Sequence, residues 1–275
     1  MSRMKTKPAK KSIKRFFLIL ALAIVSACGP RAETLYTEAY SEIENGRFRI
    51  AVDLLEKSSN LETNNFSKYR NLSEAARLTR FEILDYERSI RMYRIVILKA
   101  DDQAQRIAAQ EAISEIYLEN LQDYPMALRE LQVLEPLLVD NRKKEKTRLR
   151  IAQALYLTGN NQQALEEINS AQKLIKFHEL NFLKLKAQVL VSQKKYKEAI
   201  EAYDELRAKN INFFKEENLF IATSVVYEEN EEYAEALNFL TKYEPMIKDK
   251  AYFELRTKRL KERMANKPLF KGKRK

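Results

Sequence analysis

The sequence predicts an all-α protein assembled from repeated helical hairpins, and three observations lead to that prediction. The chain of 275 residues contains only four glycines and six prolines. Its long runs of Ala, Leu, Glu, Lys, Gln and Arg favour helix almost throughout. A short phrase recurs six times at intervals of 35 to 38 residues, which is typical of stacked repeats.

Each copy of the phrase combines a polar or glycine turn, an aromatic residue in most copies, and an apolar-rich second helix. The six copies begin at Gly46, Asp85, Asp123, Gly159, Lys195 and Glu232. The small residues that end them are Ala51, Ser89, Ala127, Ala164, Ala199 and Ala236. Separations of 38, 38, 37, 35 and 37 residues place these six small residues at one position of a common repeat.

This pattern resembles the tetratricopeptide repeat, a helix-turn-helix unit of about 34 residues in which small side chains let helices approach closely. The fourth copy, with Ala164, carries the resemblance most clearly. In the second copy Arg77 falls at a small-residue position unless the register shifts to Ala76. The third copy has one extra turn residue if Ser114 and Tyr117 mark its first helix. The resemblance implies a right-handed superhelical solenoid of about six hairpins with a C-terminal capping helix.

The same patterns divide the chain into segments. Residues 33–248 are predicted to form the six repeats, which need their neighbours because one hairpin buries too little apolar surface to be stable alone. Residues 249–266 are predicted to form the capping helix, and residues 267–275 a basic, disordered tail. The residues expected to cover the last hydrophobic face are Tyr252, Phe253, Leu255, Leu260 and Met264.

Residues 1–27 have the build of a lipoprotein signal peptide, with seven basic residues, no acids and an apolar core at 16–25. Ten helical residues reach about 15 Å, half of what a bilayer core requires. Ser26 and Ala27 before Cys28, the single cysteine, resemble the lipobox of bacterial lipoproteins. The resemblance implies that Cys28 is acylated and that residues 28–32 form a tether.

Two alternatives to this interpretation remain open. One is an uncleaved membrane anchor, and the other is an ordinary leader whose cleavage site happens to lie near a buried free thiol. If Cys28 is acylated, Gly29 in place of Asp favours the periplasmic face of the outer membrane, or the cell membrane in a host without an outer membrane.

The basic charge of the chain is concentrated at its two ends. The net charge of +11 falls to +4 without the seven leader charges, and to −1 without the five positive charges of residues 267–275. The body is therefore nearly neutral, and no nucleic-acid partner is expected despite the pI of 9.4.

The sequence offers little for catalysis, so we expect no enzyme activity, cofactor or metal. The single histidine, His178, lies in a turn region with no nucleophile motif nearby. The chain also has no glycine-rich phosphate loop and no His or Cys cluster at metal-binding spacing. The acidic pairs Glu166-Glu167, Glu216-Glu217 and Glu228-Glu229 are interpreted as solvated helix faces, with glycoside cleavage as the alternative.

The expected functional surface is the concave groove lined by the first helices of the repeats. Its predicted partner-binding residues are Tyr36, Tyr40, Arg77, Arg80, Gln153, Tyr156, Lys184 and Gln188. Glu228 projects to the same groove in the sixth copy. Tyrosine and arginine anchor protein interfaces strongly, and the mixture suits an extended peptide or a partner helix. Packing between helices is the alternative role for each aromatic residue.

These features favour a non-catalytic envelope lipoprotein whose groove binds an envelope protein or peptide segment. Lipoproteins of similar plan include the pilotins of type IV pilus secretins and the tetratricopeptide lipoprotein of the β-barrel assembly machinery. The expected role is a scaffold or adaptor in the assembly of an outer-membrane or cell-envelope complex. The alternatives are a peptidoglycan enzyme with acids in its groove and a polymer-binding module that uses residues 267–275.

Overall fold

The computed structural model describes residues 31–171 and 176–266, and within these ranges the chain is helical with no β-strand. The fourteen α-helices of the described ranges belong to two compact units that divide between Ala112 and Ile113. The predicted signal peptide, Cys28 and the basic tail lie outside the described residues. The prediction of an all-α fold is confirmed. In the described ranges, no helix combines the length and the apolar character that crossing a bilayer requires.

Unit 1 contains two helical hairpins and most of a fifth helix. Its helices are α1 (Ala32–Glu44), α2 (Phe48–Leu61), α3 (Asn65–Leu78), α4 (Tyr86–Lys99) and α5 (Gln103–Glu115), the last of which ends in unit 2. Its fully buried apolar side chains include Ala39, Ala51, Val52, Leu55, Ala75, Ala76 and Val96. The core of this unit therefore lies between paired helices.

Unit 2 contains the remaining helices of the described residues. They are α6 (Tyr124–Leu134), α7 (Asn141–Leu157), α8 (Asn161–Ala171), α9 (Glu179–Ser192), α10 (Tyr196–Lys209), α11 (Ile211–Glu216), α12 (Leu219–Glu229), α13 (Tyr233–Lys242) and α14 (Lys250–Ala265). The short helix α11 was not predicted. It places Phe214 in the core, where its ring lies 4.8 Å from that of Phe220 in an edge-on arrangement.

The predicted repeat register is confirmed by the burial of its small residues. The six residues are Ala51, Ser89, Ala127, Ala164, Ala199 and Ala236, and each is 0% exposed. Each follows the turn of a hairpin and lies in the first turn of the second helix. A larger side chain at this position would overpack the contact between the helices.

The six hairpin turns share a second feature that the sequence pattern did not reveal. Each turn contains one residue with a positive φ, five positions before the buried small residue. Two of them are glycines, Gly46 (φ +70) and Gly159 (φ +79). The other four are Leu84, Gln122, Lys194 and Glu231. The left-handed conformation is therefore required by the turn even where the residue is not glycine.

Two of the residues that begin the repeated phrase, Asp85 and Asp123, act as caps of second helices. The Asp85 carboxylate accepts a hydrogen bond from the Arg88 backbone N–H at 2.9 Å, and Asp123 accepts one from the Met126 N–H at 3.1 Å. Such caps satisfy backbone donors that the first turn of a helix leaves free.

Two first helices end in π-helical turns, at Thr79–Ile83 and Ile116–Asn120. A π turn accommodates an additional residue in a helix, and these two lie in the second and third repeats, whose register was irregular in the sequence. In the second repeat Ala76 occupies the small-residue position, because Ala76 is fully buried and Arg77 is exposed. The Ala76 carbonyl accepts a hydrogen bond from the Ser89 hydroxyl at 2.8 Å.

The last helix forms near its predicted position, but its predicted apolar face is partly wrong. Leu260 is fully buried and Phe253 packs against the core, whereas Tyr252, Leu255 and Met264 are exposed. Arg256 is buried in their place. The apolar pattern did not predict this arrangement, because Arg256 is a charged residue and yet lies on the face of the helix that packs against the core.

Candidate binding site

A pocket of about 400 Å³ lies in unit 1 among α1, α3, α4 and α5. We call it the unit 1 pocket. Its walls combine aromatic rings, charged groups and small side chains. The lining residues are Tyr36, Tyr40, Phe66, Arg70, Ser73, Glu74, Arg77, Tyr93, Gln105, Ala108 and Ala109.

Helix α1 contributes two tyrosines in ring contact to the pocket. Tyr36 and Tyr40 are four residues apart and therefore project from the same helix face. Their ring centroids are 4.8 Å apart at an interplanar angle of 49°. A hydrogen bond with Tyr36, burial and the nearby Glu74 carboxylate raise the pKa of the Tyr40 phenol to about 12. Tyr40 therefore stays neutral near pH 7.

Helix α3 contributes Arg70, whose guanidinium lies over the Tyr36 ring with Cζ 4.6 Å from the ring centroid, within cation–π distance. Its Nε and Nη2 both donate to Asn71 Oδ1 at 3.2 Å. Buried Asn71 donates to Ser58 Oγ at 3.0 Å, and Ser58 donates to the Ala32 carbonyl at 2.6 Å. This series of hydrogen bonds across three helices fixes Arg70 at the pocket wall.

One turn further along α3, Arg77 and Glu74 form a two-bond ion pair. Arg77 Nε donates to Glu74 Oε2 at 2.9 Å, and Nη2 donates to Oε1 at 2.6 Å. The hydrogen bond to Glu74 raises the pKa of Arg77 above its ordinary value. Arg70, Arg77 and Glu74 are the charged residues of the lining, and they give the pocket a formal charge of +1.

The composition of the pocket determines which groups can bind there. Aromatic faces pack against apolar or aromatic side chains, and guanidinium N–H groups form strong hydrogen bonds with carboxylates. Arg70 Nη1 makes no hydrogen bond to the described residues. The pocket is thus suited to a peptide segment in which an apolar or aromatic side chain lies next to an acidic group.

Comparison with known proteins identifies the fold. The sequence family described as "Anaphase-promoting complex, cyclosome, subunit 3" matches residues 130–206. A solved tetratricopeptide repeat protein from Parabacteroides merdae aligns with a TM-score of 0.61 and 15% identity, over 85% of this chain and 87% of that one. The chain has a tetratricopeptide-repeat fold.

Two further solved structures share this tetratricopeptide-repeat fold. The C-terminal part of a TPR repeat-containing protein from Cytophaga hutchinsonii has a TM-score of 0.55 and 15% identity, over 94% of this chain and 92% of that one. RapI in its apo form has a TM-score of 0.52 and 9% identity, over 94% of this chain and 83% of that one. No curated protein sequence matches the chain significantly. Tetratricopeptide-repeat folds typically serve as non-catalytic scaffolds that bind other proteins.

The structure brings three of the predicted groove residues of the tetratricopeptide register together. Tyr36, Tyr40 and Arg77 all line the unit 1 pocket. Arg80 does not, and its predicted position at the groove surface is wrong. It is 3% exposed within the π turn, where its guanidinium lies 4.5 Å from the Phe81 ring centroid. The π turn changes the direction of the side chains after Arg77, which the sequence pattern could not indicate.

The other four predicted groove residues lie in unit 2, on α7 and α9. Gln153 is exposed, and Tyr156 is half-buried against a core cluster. Lys184 and Gln188 are also half-buried, and Lys184 Nζ lies 3.0 Å from Glu217 Oε2. The role of these residues in partner binding stays a prediction.

Most of the pocket was not predicted from the sequence. The residues that the repeat register did not indicate include Phe66, Arg70, Glu74, Tyr93 and Gln105. One signal was present, because Arg70, Glu74 and Arg77 follow helical spacing and so share one face of α3. The remaining lining residues come from other helices, and their proximity depends on tertiary packing.

Glu228 was projected to the groove surface, and this expectation is also wrong. Its side chain is 2% exposed and pairs with three arginines of α14. Arg256 donates to Glu228 Oε2, while Arg259 Nε and Arg263 Nη1 lie 3.3 and 2.9 Å from Oε1. The carboxylate therefore holds the last helix against α12.

The other acidic pairs are also partly engaged in ion pairs. Glu167 Oε1 accepts a hydrogen bond from Arg148 Nε at 2.7 Å, and Glu217 pairs with Lys184. Glycoside cleavage needs two carboxyl groups that flank the bond to be broken. Within the described ranges, no group of three or more His, Cys, Asp or Glu side chains is placed to hold a metal ion.

Proposed function

We propose that this tetratricopeptide-repeat protein is an envelope lipoprotein that binds a segment of another envelope protein in the unit 1 pocket. Cys28 carries the lipid, and the protein lies at the periplasmic face of the outer membrane, or at the cell membrane in a host without an outer membrane. Its role is that of a non-catalytic scaffold or adaptor in the assembly of an envelope complex.

The proposed anchor is supported by the leader sequence. A basic segment, ten apolar residues and the small residues Ser26 and Ala27 precede the only cysteine of the chain. Several acyl chains on Cys28 would hold the protein on a membrane more firmly than the weak, reversible binding given by a single myristoyl group.

The observation that carries the binding proposal is the arrangement of tyrosine and arginine side chains in the pocket. These residue types dominate the energetics of protein interfaces when they lie in well-packed pockets. Tyr36 and Arg70 are held in position by contacts within the protein. Little conformational freedom is therefore lost when a partner binds, which favours affinity.

The charge of the pocket specifies the chemistry of the partner segment. Arg70 and Arg77 outnumber the single Glu74, so an acidic group is favoured beside the apolar or aromatic side chain that contacts the tyrosines. A basic segment would meet unfavourable charge at the same position.

Affinity purification from solubilised membranes tests the proposal. The wild-type chain is compared with Tyr40→Ala and Arg70→Ala, and the proteins recovered with each are quantified by mass spectrometry. We expect an envelope protein that is enriched with the wild type and recovered at least tenfold less with the pocket variants, because loss of an interface anchor costs about 2 kcal/mol or more.

The matched control is Tyr252→Ala. Tyr252 is 38% exposed and Tyr40 is 40% exposed, but Tyr252 lies on α14 and does not line the pocket. Circular dichroism establishes that each variant is folded. Equal recovery of every associated protein with the wild type, Tyr40→Ala and Arg70→Ala would contradict binding through the pocket.

A further inference from the structure

The starts of α1, α3 and α5 and the ends of α2 and α4 lie at one edge of unit 1, which we call the anchor edge. The Ser58 hydroxyl near the end of α2 donates to the Ala32 carbonyl at the start of α1, at 2.6 Å. At the start of α3, the Asn65 side chain accepts from the backbone N–H of Asp101, just after α4, at 2.9 Å. Near the start of α5, Gln105 Nε2 donates to the Phe66 carbonyl at 2.9 Å.

The anchor edge exposes three large apolar side chains. Leu61, the last residue of α2, and Phe66, in the first turn of α3, are both 53% exposed, and Leu98, near the end of α4, is 78% exposed. Single exposed apolar residues are common on protein surfaces. Here three of them lie at helix ends along the same edge. Together they form an apolar surface that the described residues leave exposed.

The length of the tether limits what can cover this edge. Ala32 is the fourth residue after Cys28, and even a fully extended chain of four residues spans only about 14 Å. The polar headgroup layer on each side of a bilayer is itself about 5 to 8 Å thick. With Cys28 acylated, the anchor edge cannot move far from the lipid surface.

The charges at the anchor edge do not favour a particular sign of lipid. Lys57 and Lys99 are exposed there together with Asp101, and Glu62 is half-buried. Because both signs of charge are present at this edge, apolar contact and not charge attraction is the interaction available to neutral lipid.

We propose that the anchor edge docks on the lipid surface, with Leu61 and Leu98 inserted among the headgroups. This inference rests on the proposed acylation of Cys28. Helix α1 then leads away from the bilayer, and the hairpin turn after Glu44 lies about 20 Å further out. Docking gives unit 1, and with it the pocket, a defined orientation toward a partner in the same membrane.

Tryptophan fluorescence tests the docking, since the chain contains no tryptophan and one cysteine. Residues 28–275 carrying Leu61→Trp or Leu98→Trp are coupled through the Cys28 thiol to a maleimide-headgroup lipid in phosphatidylcholine vesicles. The vesicles also contain phosphatidylcholine with brominated acyl chains, which quenches nearby tryptophan. We expect at least twofold quenching of both tryptophans, with a shift of their emission to shorter wavelength.

The matched control is Ile50→Trp. Ile50 lies on the same helix as Leu61, is 50% exposed and is 11 residues away, or about 16 Å along the axis. Its tryptophan should stay unquenched. Equal quenching at positions 50, 61 and 98, or none at any of them, would overturn the docking inference.

The chemical coupling separates this inference from the proposed function. The maleimide lipid replaces enzymatic acylation, so the fluorescence reports docking whether or not Cys28 is acylated in cells. Circular dichroism of each tryptophan variant before coupling confirms that an unquenched signal does not come from an unfolded chain.

Discussion

At the scale of single residues, each hairpin turn depends on one residue with left-handed backbone conformation. An ordinary L-residue in this region is strained by about 1 to 2 kcal/mol, because its Cβ approaches the following carbonyl. Gly46 and Gly159 avoid the strain, whereas Leu84, Gln122 and Lys194 accept it. The packing of the two helices that each turn joins must therefore offset this backbone strain.

Gly159→Ala should lower the free energy of unfolding by about 1 kcal/mol. A Cβ added at Gly159 has no heavy atom within 4 Å, so the loss comes from backbone strain, partly offset by the smaller entropy of the unfolded chain. Urea unfolding of the purified protein measures this difference.

Lys194 supplies the control for this prediction. Lys194 has φ +60, so Lys194→Ala should leave stability nearly unchanged, and Lys194→Gly should not destabilise the protein as a helix-interior glycine would. An unchanged free energy of unfolding for Gly159→Ala would mean that the turn does not require positive φ at this position.

The sequence predicted the six buried small residues because helix packing restricts that position to small side chains. It did not predict positive φ at Leu84, Gln122, Lys194 or Glu231. Nothing in the local chemistry of a leucine or a glutamate favours the left-handed region. The conformation follows from the tertiary contacts of two helices that the turn must join.

At the scale of helices, the last helix is held by a buried charge as well as by apolar contact. Leu260 is its one fully buried apolar residue among those the structure describes, and Glu228 binds the guanidinium groups on the same face. A carboxylate and a guanidinium that leave water are costly to separate, since removing one leaves the other without a partner.

Glu228→Ala should therefore destabilise unit 2 by about 3 to 5 kcal/mol, the cost of leaving a buried charge unpaired. The effect should be greatest for α14, whose Arg256 side chain is 9% exposed. Hydrogen exchange of the amides of Lys250–Ala265 should become faster than in the wild type.

The neighbouring residue gives a matched control. Glu229 is exposed, and Glu229→Ala should change stability by no more than about 0.5 kcal/mol. Equal exchange rates in α14 for the two variants would show that the carboxylate of Glu228 does not hold the last helix.

Helix patterns in the sequence predicted the number and order of hairpins better than their details. The period of the small residues was sufficient to place each second helix. The π turns at Thr79–Ile83 and Ile116–Asn120 were visible only as irregular register, because an inserted residue leaves the apolar pattern on both sides intact. The short helix α11 was missed because six residues are too few to show a helical period.

At the scale of the whole molecule, the proposed function combines a lipid anchor at Cys28 with the unit 1 pocket. The pocket lies in unit 1, the unit that begins just after the proposed tether, and Tyr36 and Tyr40 belong to its first helix. Anchoring raises the local concentration of the pocket for partners in the same membrane. Binding should therefore depend on Cys28 even though Cys28 is not part of the pocket.

Three of the eleven residues that line the pocket could be predicted from the sequence. Tyr36, Tyr40 and Arg77 followed from the repeat register. Arg70 did not, because its position depends on the hydrogen bonds from Asn71 through Ser58 to the first turn of α1. Contacts that link three helices through buried polar groups leave no periodic trace in a sequence.

Photo-crosslinking in living cells tests whether the lipid-anchored protein binds a partner through the unit 1 pocket. Benzoylphenylalanine replaces Tyr40, in one chain with Cys28 intact and in another with Cys28→Ser, and adducts are quantified relative to the amount of each chain. We predict an adduct with an envelope protein when Cys28 is present, and at least tenfold less of it with Cys28→Ser, which should also lose incorporation of labelled palmitate. The same adduct at equal yield in both chains, or no adduct from position 40 in either, would contradict the account.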